Sequence, residues 1–146
     1  TSDEVLADFC KQMGYAPVVF DASDRDGTAV YHTNVMMSVG TDYAILCTDA
    51  ISDVQSREKV IDTLKSTGKK VMALTFDQLH DFAGNMLELR NNAGQKLLVM
   101  SATARKSLTP EQNKELSAHY RLLSPQLDYI EKNGGGSARC MLAELF

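Results

Sequence analysis

Apolar positions recur along this chain with two periods. Val5, Leu6, Phe9 and Met13 stand at helical spacing and predict a helix over Asp3–Met13, stopped by Gly14. Pro17-Val18-Val19-Phe20 reads as a short apolar strand, and Asp21–Gly27 as a polar turn or loop. From Ala29 to Val39 β-prone residues dominate. Gly40-Thr41-Asp42 is a tight turn and Tyr43–Cys47 a second strand, which together predict a β-hairpin. Ser52 suits an N-cap for a helix carrying Val54, Val60, Ile61 and Leu64 on its inner side. Gly68 ends that helix, and Lys70–Leu74 is another strand.

The pattern then restarts. Phe76–Ala83 reads as a short helix or turn that stops at Gly84. Met86–Arg90 and Lys96–Met100 predict a second hairpin around Asn91-Asn92-Ala93-Gly94. Thr109-Pro110-Glu111 places proline at the first position of a helix running to about His119. A short strand around Arg121–Leu123, a helix over Gln126–Lys132, a flexible stop at Asn133–Gly136 and a final strand over Arg139–Phe146 complete the reading.

Three strand starts look alike: Asn34-Val35-Met36-Met37, Asn85-Met86-Leu87-Glu88-Leu89 and Cys140-Met141-Leu142-Ala143-Glu144-Leu145. They are 51 and 55 residues apart. Similar units at such a period suggest repeated modules around an axis, whose equivalent strand starts can converge on one centre. Here those starts carry Asn, Asn and Cys. The opening helix and strand have no hairpin ahead of them and read as the tail of a preceding module. The expected division is therefore 1–27 as that tail and 28–146 as the C-terminal modules of a larger protein.

Composition narrows the function. Fifteen Lys and Arg against 19 Asp and Glu give a net charge of −4, with no support for a basic nucleic-acid-binding face. The chain has no apolar run long enough for a transmembrane helix and no basic-then-apolar leader. Its 3 cysteines, without a C-x-x-C pair, argue against a disulfide framework or a zinc site and suit a reducing, cytoplasmic setting.

The chemistry concentrates in few residues. Cys140 follows Asn133-Gly134-Gly135-Gly136-Ser137-Ala138-Arg139, where three glycines give the backbone freedom beside a thiol. Arg139 would favour the thiolate if its charge lies close. Cys140 has two readings, a reactive thiol or a small buried hydrophobe. Cys10 and Cys47 sit in apolar patterns and read as structural. Alternation along a strand would put His32, Asn34 and Met36 on one face. His32 is then either a general acid–base group for a nucleophilic Cys or a hydrogen-bonded core histidine. Gly84 permits a sharp entry that could aim Asn85 at a ligand. His80 reads as solvent-facing, His119 as a helix end, and Glu58, Glu111 and Glu115 as solvated charges. The glycine run lacks the Lys-Ser/Thr of a phosphate-binding loop. No oxyanion-donor or groove signal accompanies Cys140 and His32 to suggest a peptidase.

Three segments carry a family resemblance. Tyr31–Met37, Phe82–Leu89 and Gly134–Met141 resemble the guanidino-group-modifying (pentein) superfamily of amidinotransferases, arginine deiminases and dimethylarginine hydrolases. The branch most resembled is amidinotransferase-like and includes citrulline-utilisation hydrolases. The resemblance implies an α/β propeller of five ββαβ-type modules, of which this chain would hold a little over two. It also implies a thiol-dependent hydrolase of carbon–nitrogen bonds in a guanidino or ureido compound, with no metal or organic cofactor. Cys140 and His32 would be catalytic. Asn34, Asn85, Gly135, Gly136, Ser137 and Arg139 would bind substrate. Acidic residues that relatives carry upstream would complete the site, so the missing N-terminal modules are an expected partner. Many relatives have His-x-Asp where this chain has His32-Thr33-Asn34. The neutral Asn34 cannot ion-pair with a cation, which makes a ureido substrate an alternative to a guanidinium. Two further readings are transfer of the amidino group to an acceptor amine, and a module inactive without its upstream half.

Overall fold

The computed structural model describes residues 2–143. Helix α1 spans Asp3–Met13 and ends at Gly14, whose φ of 69° is the left-handed conformation that favours glycine. Cys10 is its one buried residue, whereas Val5, Phe9 and Met13 are all more than half exposed. The helical period is present, but most of the apolar row faces outward. Pro17–Phe20 joins no sheet, contrary to the strand expected there; Val18 and Phe20 instead pack on the core as extended chain. The polar loop that follows is closed by Asp24, whose carboxylate accepts from the Asp26 and Thr28 amides.

A second departure lies in the β-prone run. Thr33–Met36 forms one helical turn, α2, before strand β1, Met37–Val39. His32 is the N-cap, and its Nδ1 accepts from the Asn34 amide at 3.1 Å. A side-chain acceptor at this point satisfies an amide that a ladder would otherwise have taken, so local capping overrides β-propensity. His32, Asn34 and Met36 therefore do not share a strand face.

Two three-stranded sheets follow. In the first, β1 pairs antiparallel with β2, Tyr43–Leu46, and β2 pairs parallel with β3, Lys70–Ala73. Helix α3, Val54–Ser66, makes the crossover. Its N-cap is Asp53 rather than Ser52, with the carboxylate accepting from the Ser56 amide at 2.7 Å. Val60 is its buried residue and Val54 is exposed. Helix α4, Phe76–His80, then leads to the second sheet. There β4, Leu87–Arg90, pairs antiparallel with β5, Lys96–Val99, and β5 pairs parallel with β6, Arg121–Leu123. The crossover carries α5, Ala102–Ser107, absent from the sequence reading, and α6, Pro110–His119, which opens on proline as expected. Each sheet is one ββαβ unit, and the architecture is mixed α/β.

The two units share one core. Met36, Leu46, Ile51, Met86, Met100 and Leu116 are fully buried in it. Where the first strands meet, the buried Ser38 hydroxyl donates to the Met86 carbonyl at 2.9 Å. Beside them Gly84 lies so close that a Cβ would come within 2.4 Å of the Val35 carbonyl oxygen. On one flank, Glu88 of β4 accepts from the Thr41 amide, the Thr41 hydroxyl and the Tyr120 hydroxyl, and Lys96 pairs with Asp42. On the other, two capping boxes interlock. Thr75 with Gln78 caps α4, and Thr109 with Gln112 caps α6. The Gln78 amide then donates to Gln112 Oε1 at 2.7 Å. Glu115, expected as a solvated charge, pairs with Lys70 at 2.5 Å. The last elements among the described residues are α7, Asp128–Gly134, and a single 3-10 turn over Ala138–Met141. That turn replaces the strand expected from Arg139 onward; Glu144–Phe146 lie outside the described residues.

Candidate active site

Both ββαβ units enter the region where they meet with an asparagine, and the C-terminal turn brings a thiol to the same place. Asn85 reaches it through a tight turn. Phe82 has φ of 63°, the one described non-glycine residue with positive φ, and the Asn85 amide donates back to the Phe82 carbonyl at 2.9 Å. Gly84, packed against the Val35–Met36 backbone, has no room for a side chain. Asn85 is consequently delivered into the interior, only 1% exposed.

Its amide is fully committed. Oδ1 accepts from the Arg139 amide at 3.1 Å. That acceptor fixes the orientation of the group, so Nδ2 donates to the Asn34 carbonyl at 2.9 Å and to Cys140 Sγ at 3.2 Å. Asn34, partly buried in α2, directs its own Nδ2 at the same sulfur from 3.8 Å. Two neutral N–H donors thus converge on one thiol. The sulfur therefore has donors on one side and solvent on the other.

The glycine-rich loop holds that thiol in place. Gly135 ends α7 with φ of 66°, and its carbonyl accepts from the Tyr31 hydroxyl at 3.2 Å. Gly136 lies over the cysteine: a Cβ there would be 3.0 Å from Sγ and 3.1 Å from the Cys140 Cβ. Ser137 is wholly buried. Its hydroxyl donates to Glu131 Oε1 at 2.5 Å, and its carbonyl accepts from the Cys140 amide at 3.1 Å. Arg139 turns its guanidinium to the Met37 carbonyl at 3.3 Å, while its backbone amide engages Asn85.

Of the residues singled out in the sequence, the structure gathers Asn34, Asn85, Gly136 and the Arg139 backbone around Cys140. Gly135 and Ser137 lie just behind, in the loop. His32 is not among the groups around the sulfur: it caps α2, exposed, and is tied to the cluster through the Asn34 amide. Because its Nδ1 is an acceptor, neutral His32 carries its proton on Nε2. Of the three thiols, Cys140 alone is exposed. Burial pushes the Cys47 thiol up, which keeps it protonated and unreactive. Among the described residues no group of three or more His, Cys, Asp or Glu is arranged to hold a metal ion. Sequence reasoning passed over Glu131 and Tyr31. Tyr31 could have been found as the neighbour of His32, whereas nothing in the sequence separates Glu131 from any other helical glutamate.

Comparison with known proteins bears on the fold and the family. No curated protein matches the chain. Among solved structures it is similar to apo ArgZ, an arginine dihydrolase from the ornithine–ammonia cycle in cyanobacteria, with a TM-score of 0.70 at 16% identity. The similarity covers 96% of this chain and 20% of that one, so the chain spans about a fifth of the dihydrolase's length. At this identity the likeness is one of fold. The family model for eukaryotic N,N-dimethylarginine dimethylhydrolase matches residues 1–146. Both names denote hydrolases of carbon–nitrogen bonds. By that end-to-end match, the chain belongs to the N,N-dimethylarginine dimethylhydrolase family of guanidino-group-modifying enzymes.

Proposed function

We propose that this chain carries the nucleophile of a guanidino-group hydrolase and that Cys140 is that nucleophile. The observation that carries the reading is the convergence of the Asn85 and Asn34 amides on an exposed thiol. Sγ, as thiolate, attacks the central guanidino carbon. The bond to one nitrogen breaks, and His32 supplies the proton that the departing amine takes away. The substrate carbon remains on sulfur as an S-alkylthiouronium. His32 then takes a proton from water, whose oxygen attacks that carbon. The carbon–sulfur bond breaks, returning the thiolate and leaving a ureido product. Asn34 and Asn85 hold the sulfur through both halves, and backbone groups of Gly135 and Gly136 border the substrate.

The rest of the substrate site is proposed to come from further α/β modules, with this chain supplying the nucleophile-bearing part of a propeller. The match to only a fifth of the dihydrolase supports this. So does the outward apolar row of Val5, Phe9 and Met13.

The test is release of ammonia or methylamines from arginine, citrulline, agmatine and methylated arginines. It is run on this chain, and on any longer natural polypeptide that contains it, each beside Cys140→Ala. Turnover that disappears with the thiol is the expected result. Turnover that survives Cys140→Ala sinks the mechanism. An added acceptor amine that captures the amidino group would show transfer instead of hydrolysis.

A further inference from the structure

Glu131 has no part in the mechanism above, yet its environment is unusual for a helical glutamate. It sits on α7 only 9% exposed, and Ser137, its partner, is 0% exposed. Their hydrogen bond, at 2.5 Å, is in the short range expected when a hydroxyl donates to an ionised carboxylate. A buried carboxylate is retained at a cost unless something fixes it, and one that is fixed also fixes its partner. That partner is one step from the reactive atom, because the Ser137 carbonyl accepts from the Cys140 amide at 3.1 Å. The intervening loop needs such a fixture. It follows three consecutive glycines: Gly134 is the last residue of α7, Gly135 is in the left-handed region and Gly136 has no side chain of its own to anchor it.

We infer that Glu131 and Ser137 form a buried strut that positions Cys140 Sγ against the Asn85 and Asn34 amides. Both are positioning residues. Neither touches the sulfur, and each acts on it through the backbone of the 3-10 turn. The inference rests on the reading of Cys140 as nucleophile, but it concerns where the sulfur is held and can be tested without turnover.

The strut predicts a specific pattern of thiol reactivity. With it broken, the sulfur drifts from its two donors and from the position in which the turn presents it to solvent, so alkylation slows. Iodoacetamide labelling of each cysteine is followed by peptide mapping at near-neutral pH in the wild-type chain, Glu131→Leu, Glu131→Gln and Ser137→Ala. Labelling of Cys140 should slow about tenfold in Glu131→Leu and in Ser137→Ala, the scale of one charge-assisted hydrogen bond. Glu131→Gln keeps an oxygen that accepts from Ser137 and should restore the rate to within about twofold. Cys10 and Cys47, both buried, report on the fold and should stay unlabelled. Unchanged Cys140 labelling in the first two variants overturns the strut. So does a Glu131→Gln rate no better than that of Glu131→Leu. Labelling of Cys10 and Cys47 alongside Cys140 also overturns it, since Glu131 would then support the fold at large. A failed hydrolysis assay leaves this pattern untouched, so the strut and the proposed function can fail separately.

Discussion

The two ββαβ units have the same strand order and pairing, yet they deliver their asparagines to the thiol differently. The first unit enters through a helical turn capped by His32, and Asn34 stays partly exposed with its amide 3.8 Å from the sulfur. The second enters through a strained turn and a glycine pressed on its neighbour's backbone, and Asn85 is locked at 3.2 Å. Burial is also unequal. Every residue of β2 is buried, whereas β5 has one buried position. The difference teaches that fold equivalence does not make site equivalence. Asn85 is a structural clamp that touches the Cys140 sulfur, and Asn34 is an adjustable donor beside it.

Substitutions can break this comparison or sharpen it. Gly84→Ala should have the largest effect. Its Cβ meets the Val35 and Met36 backbone, which cannot swing aside as a side chain can. We expect a loss of about 3 kcal/mol in urea unfolding. The matching change outside the junction, Gly134→Ala, meets only Ile130 Cγ2 at 3.8 Å and should be close to neutral. Asn85→Ala comes next, at about 2 kcal/mol, because the Arg139 amide and the Asn34 carbonyl lose a partner in the interior. Asn34→Ala should cost less than about 0.5 kcal/mol while still slowing Cys140 alkylation. Equal stability losses for the two asparagines would erase the distinction drawn between them. Gln78→Ala should cost about 1 kcal/mol by opening the capping box and its bond to Gln112.

The smallest expected effect is a pH dependence. Burial pulls the Glu88 carboxyl up, but the hydrogen bonds from Thr41 and Tyr120 and the Lys96 charge outweigh it and hold the group below its ordinary value of 4.5. A carboxyl depressed in the folded state takes up protons more readily when unfolded. Its contribution is therefore complete above about pH 4.5 and is lost as pH falls through the lower folded value. Glu88→Gln should flatten that acid limb in denaturant titrations. An unchanged limb would show that Glu88 does not set it.

Legibility in the sequence followed how local each signal was. Helix α6 could be read to its ends because Thr109, Pro110 and Gln112 carry its cap within four residues. The second hairpin could be read because turn residues separate two apolar runs. Helix α5 was passed over because Ala-Thr-Ala-Arg-Lys-Ser has no apolar period and its cap, Ser101, is a single hydroxyl. Pro17–Phe20 has strand composition but no partner edge, which composition cannot reveal. At the site, the repeat of strand starts singled out Asn34, Asn85 and Cys140, and the structure brings these three together. The contacts that secure them were hidden, since the Glu131–Ser137 bond depends on how a glycine loop folds back on its helix.

The orientation of the Asn85 amide bears on how this molecule would age. Hydrolysis of the amide to aspartate changes the shape of an asparagine hardly at all, yet here it would replace Nδ2, the donor to both Cys140 Sγ and the Asn34 carbonyl, with an oxygen. That oxygen would face two groups rich in electrons and would carry part of a negative charge toward the sulfur. One hydrolysed amide would turn the two-donor cradle of the Cys140 sulfur into an acceptor wall while leaving Cys140 itself chemically intact.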